Sequence, residues 1–125
     1  MADMGEITNK SLVIPKATTK TYKLYFTDSD GEVVDITGWT IFFTLKENLT
    51  DTDGITGKTS KIEKDIVAHT DPTGGETEIV LSATDTNLTA GSYSYDIKVK
   101  TDVGDIEIIL EGNISIVDTI TTRSS

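Results

Sequence analysis

The chain has no cysteine, which removes disulfides, thiolate zinc sites and thiol nucleophiles from consideration. It has one histidine, so a nucleophile that needs an imidazole base has His69 as its single candidate. That residue stands beside a turn, where a solvent-exposed side chain is expected rather than catalysis. Basic charge is scarce: 11 Lys and Arg against 21 Asp and Glu give a formal net charge of −10. Phosphate backbones and anionic lipid surfaces both call for clustered Lys and Arg, so no nucleic acid and no membrane is expected as a partner. No apolar run approaches the ~20 residues of a membrane-spanning helix. Residues 1–7 lack the basic and apolar regions of a secretory signal, which predicts synthesis in a cytoplasm.

Leu (7) and Ala (5), which favour helices, are also few, whereas 22 Thr, 15 Ile and 8 Val are present among 125 residues. Branched side chains are stiff and suit a pleated surface. The bulk composition therefore predicts an all-β protein. A chain of this length buries about two thirds of its extended surface on folding, enough for one self-supporting domain over 1–125. The ends, 1–10 and 119–125, are polar and are expected to be an N-terminal arm and a C-terminal tail, ordered where a partner holds them.

Alternation locates the strands. Trp39, Ile41, Phe43 and Leu45 share one face of a central strand, with Thr40, Phe42 and Thr44 on the other. Tyr22, Leu24 and Phe26 share a face, as do Thr77, Ile79 and Leu81. Tyr93, Tyr95, Ile97 and Val99 follow a turn that ends in Gly91. Leu12 to Ile14 is a short strand stopped by Pro15, which suits a sheet edge, and 61–69 is a polar strand. The last strand, 106–117, has apolar residues at even positions, so Glu107 and Glu111 are expected in water, and Gly112 marks the place for a bulge or a bend between sheets. Asp28 to Gly31, Asp71 to Gly75 and Asp102 to Asp105 are turns. Residues 82–88 are expected to make one helical turn crossing between sheets, and 47–60 to form a long loop.

Acidic residues gather at Asp28, Asp30, Glu32 and Asp35, and again at Asp51 and Asp53. Such oxygens suit calcium, but Gly31 and Gly54 arrive too early after Asp28 and Asp51 for an EF-hand loop. Turn chemistry accounts for both clusters, so no metal and no cofactor is expected. Asn9, Asn48, Asn87 and Asn113 head glycosylation sequons that a Thr-rich chain produces by chance. Tyr25 and Phe42 each face away from the apolar side of their strands. Side by side on one sheet they would make an apolar patch for a partner or a platform for a sugar ring.

Tyr93, entering its strand just after a tight turn, resembles the tyrosine corner of immunoglobulin-like sandwiches. A wider resemblance rests on Asp30-Gly31-Glu-Val-Val-Asp35-Ile-Thr-Gly38 and on the strand 40–45. It continues through Gly75-Glu-Thr-Glu-Ile-Val-Leu81-Ser-Ala-Thr-Asp85-Thr-Asn-Leu88, Gly91-Ser-Tyr93-Ser-Tyr95-Asp-Ile97 and the segment from Gly104 to Ile114. In these the chain resembles the immunoglobulin-like N-terminal domain of phage baseplate upper proteins and related small tail and capsid accessory proteins. The resemblance implies an immunoglobulin-like two-sheet antiparallel β-sandwich of about seven to eight strands. It also implies a non-enzymatic virion protein made in the host cytoplasm. The expected partners are capsid, tail or baseplate proteins, with copies of itself among the candidates. Because the chain stops after one domain, a decoration or adaptor role is expected. The alternatives are a module for host-surface carbohydrate, using Tyr25, Phe42 or the 47–60 loop, and a calcium-stabilised adhesion domain.

Overall fold

A computed structural model describes residues 8–9, 11–48 and 60–119. Eight strands form in chain order: β1 (Thr8–Asn9), β2 (Leu12–Pro15), β3 (Lys20–Tyr25), β4 (Thr40–Lys46), β5 (Ile62–Ile66), β6 (Glu76–Leu81), β7 (Gly91–Lys100) and β8 (Ile106–Val117). A large sheet runs β1-β8-β7-β4-β5, with β2 also on β8, and a small sheet holds β3 and β6. The architecture is an all-β sandwich of immunoglobulin type. Its pairs are antiparallel except for β1 and β2, which run parallel to β8.

The core lies between the sheets and follows the alternation. Trp39, Ile41, Phe43 and Leu45 are buried, as are Ile79 and Leu81 of β6 and Tyr93, Tyr95, Ile97 and Val99 of β7. Phe26 meets Trp39 edge-on at 5.8 Å between ring centroids, a preferred aromatic geometry. The Tyr93 hydroxyl donates to the Thr89 carbonyl at 2.6 Å; this closes a tyrosine corner on the turn that precedes β7. Between β6 and β7 the chain crosses sheets through one helical turn. Ser82 and Asp85 cap it reciprocally, each side chain accepting the other's backbone N–H at 3.1 and 2.8 Å, a capping-box arrangement.

Three expectations need correction. The polar strand is shorter than 61–69, because β5 ends at Ile66 and the chain then turns toward the small sheet. The bulge is not at Gly112, which pairs regularly with Tyr95. It lies at Ile109, since Ile97 pairs with Leu110 while Lys98 pairs with Ile108. One extra residue exchanges the faces of a strand. Before Ile109, therefore, the even positions point outward, and Ile106 and Ile108 are 61% and 37% exposed. Glu107, placed in water by its parity, instead stands opposite buried Val99 and is half-buried.

The turn at residues 71–75 locks β6 to the segment after β3. Gly75 has φ +73°, and a Cβ there would lie 2.7 Å from the Val34 carbonyl oxygen and 2.8 Å from that of Phe26. Gly75→Ala combines left-handed strain with a backbone clash, so it is expected to cost at least about 2 kcal/mol, read as a lower urea midpoint.

Candidate interaction surface

The outer face of the large sheet forms an open trough of about 580 Å³. The pleat arranges the side chains of this face in transverse rows. Asp65, Phe42, Lys98 and Ile108 stand side by side across β5, β4, β7 and β8, and Glu63, Thr44, Asp96 and Glu111 form the next row. Thr40, Lys100 and Ile106 make a further row on the side of the β7–β8 turn. An apolar and basic band thus borders an acidic one. Ile106 and Ile108 were not legible as surface residues, because the extra residue that turns them outward leaves no mark in the hydrophobic pattern.

Of the two aromatics singled out as partner-binding, Phe42 sits half-buried in this trough. Tyr25 is 65% exposed on β3 of the small sheet. The two residues therefore lie on different sheets and make no joint patch. Parity along a strand shows which side faces out, but not which sheet the strand joins.

His69 is not a solvent-exposed turn residue. Its ring bridges the Thr77 hydroxyl at 2.8 Å and the Trp39 carbonyl at 2.7 Å. A carbonyl only accepts, so Nε2 carries the proton and donates, leaving Nδ1 to accept from Thr77 in the neutral ring. His69 is thereby a clasp between the start of β4 and buried Thr77 of β6, with neither nitrogen left for a base. Asp28 Oδ1 accepts the N–H groups of Asp30 and Glu32 at 2.9 and 3.0 Å. Asp35 Oδ1 accepts from the hydroxyl and N–H of Thr37 at 2.6 and 2.9 Å; the hydroxyl first, then the N–H, hold this carboxyl below its ordinary range. Asp51 and Asp53 lie outside the described residues. Among the described residues no three His, Asp or Glu side chains are grouped to hold a metal ion.

Burial governs the core phenols. It raises the Tyr22, Tyr93 and Tyr95 pKa values, with the charge of Glu47 adding at Tyr93 and that of Tyr22 at Tyr95. Asp85 moves the other way. Burial raises it, but a hydrogen bond from Lys64, the N–H and hydroxyl of Ser82 and the charge of Lys64 outweigh that. The Lys64–Asp85 pair, at 2.7 Å, ties β5 to the crossover that follows β6.

No family model and no curated protein matches the sequence. Solved structures resemble it in shape alone. The PmoD soluble domain from Methylocystis aligns with 84% of this chain and 77% of its own, at 8% identity and TM-score 0.48. Murine CRIg aligns with 90% of this chain and 94% of its own, at 9% identity and TM-score 0.37.

Two outcomes follow from these contacts. His69→Ala leaves the Trp39 carbonyl and the Thr77 hydroxyl without their partner and is expected to cost about 1–3 kcal/mol in denaturant unfolding. The raised phenols make the folded chain hold protons that the unfolded chain releases above its phenol pKa of about 10. The phenols' contribution to stability is therefore expected to be level up to that pH and to fall as pH rises beyond it, in thermal melts across the alkaline range.

Proposed function

We propose that this protein is a non-enzymatic structural module of a phage virion. It attaches to a capsid, tail or baseplate protein through the outer face of the large sheet. The observation that carries this reading is the bulge at Ile109, which places Ile106 and Ile108 in solvent beside Lys98 and Lys100. Exposed β-branched side chains gathered on one face mark an interaction site, and flanking charges of both signs set the register of a partner. The sequence segments that resemble phage virion domains supply the class of assembly. They run through residues 30–38, β4, β6, the crossover, β7 and most of β8, which make up the framework of the sandwich. The acidic charge of −10 would keep a protein made in many copies soluble before assembly.

Tagged protein is expected in purified particles by mass spectrometry, with capsid or tail genes flanking its own. The double substitution Ile106→Lys and Ile108→Lys should abolish incorporation and leave the melting temperature unchanged, since both side chains lie outside the core. Particles lacking the tagged chain would overturn the virion reading. A half-buried aromatic ring in a trough lined by carboxylates also suits a sugar. Glycan-array binding that Phe42→Ala removes would shift the function to carbohydrate recognition.

A further inference from the structure

The two sheets are unequal: six strands face two. On one flank the mismatch is closed, because β6 contacts β5 and Lys64 pairs with Asp85. On the other flank, among the described residues, no strand joins β3 to the β8–β2 side of the large sheet. Of the seven partly buried apolar residues that pack on the core, five belong to the strands bordering this seam: Leu12, Tyr22, Leu24, Ile109 and Leu110. Each gains apolar contact if another layer of chain is added there.

The backbone shows what kind of chain that is. Phe26 N donates to Gly75 O at 2.9 Å, and in the β3–β6 register Tyr22 and Leu24 occupy equivalent positions opposite Ile79 and Thr77. Antiparallel ladders alternate, so the N–H and C=O groups of Thr21, Lys23 and Tyr25 point away from β6. Among the described residues no strand pairs with that edge. Unpaired backbone groups in a row are a template for another strand.

We propose that the open edge of β3 takes an extended segment of a partner protein as a third strand of the small sheet. The segment alternates apolar with acidic residues. Its apolar side chains enter the seam over Leu24 and Leu110. Its acidic ones stand outside, beside Lys23, whose neighbour on the β6 side is Glu78. A carboxylate is favoured directly across from Lys23 on the incoming strand, because a like charge in that position is destabilising. Tyr25, 65% exposed at the same edge, flanks the incoming strand. This surface is separate from the trough and independent of the assembly to which the protein belongs.

The test uses the full chain and a peptide alternating Val and Glu over about six positions, a usual strand length, with a Val–Lys peptide as control. Amide exchange is expected to slow at Thr21, Lys23 and Tyr25 on adding the acidic peptide, and the control should bind about tenfold more weakly at low salt. Lys23→Pro removes an outward donor without touching the β6 ladder, as edge strands tolerate; it should weaken binding about tenfold. Lys23→Glu keeps the donor and should invert the preference between the two peptides. The proposal fails if the three amides are unaffected by millimolar peptide, or if both peptides bind alike. It fails equally if these amides are already protected in the free protein, since the chain itself would then occupy the edge.

Discussion

Burial of the alternate side chains of β4 and β7 against the small sheet is the interaction on which the rest of the molecule depends. These two neighbours supply Ile41, Phe43, Leu45, Tyr93, Tyr95, Ile97 and Val99, all at most 4% exposed. Removing one such side chain costs several kcal/mol in comparable cores, typically about 2–5. Everything else is hung on this pair: β8 and β5 flank it in the large sheet, and β3 and β6 roof it. Small polar devices then hold the roof in place. His69 clasps Trp39 to Thr77, the Tyr93 hydroxyl closes its own turn, and Thr86 takes the N–H and gives its hydroxyl to the carbonyl of Thr18 at 2.9 and 2.6 Å. Each of these joins segments that are distant in sequence or fixes the entry to a strand.

Several of the polar groups singled out in the sequence are engaged in the same task. The single imidazole is held at both nitrogens, and Asp28, Asp35 and Asp85 are occupied with neighbouring N–H or hydroxyl groups. One buried polar atom, the Tyr22 hydroxyl, has no hydrogen-bond partner among the described residues. It lies in the core near Tyr95, where burial keeps the phenol protonated. What remains available for contact is surface: a trough on one sheet and an open edge on the other. Their chemistry differs. The trough offers side chains of both signs around exposed isoleucine, whereas the edge offers backbone groups flanked by lysine.

Much of the fold was legible because the core strands obey a strict period of two. The faces of 39–46, 77–81 and 93–99 could be assigned residue by residue, and the glycine-containing turns between them have local causes. The surface was far less legible, for three physical reasons. Sheet membership is a long-range property, so Tyr25 and Phe42 could be given a side but not a neighbour. Hydrogen-bond partners are long-range as well: His69 meets Trp39 across thirty positions, which no local pattern around residue 69 records. The third reason is the irregularity in β8, where counting every second residue from Ile106 assigns the wrong side until Ile109 is passed.

That irregularity has a consequence for how such a molecule changes over time. Composition does not decide whether the isoleucines at 106 and 108 serve cohesion or contact; the pairing register with β7 does. Loss of the Ile109 codon would make the ladder regular and leave both in solvent, because Ile108 would then directly precede inward-facing Leu110. A lineage carrying this scaffold can therefore shed the extra residue and keep the adhesive stripe, while the half of β8 from Leu110 onward keeps its place in the interior.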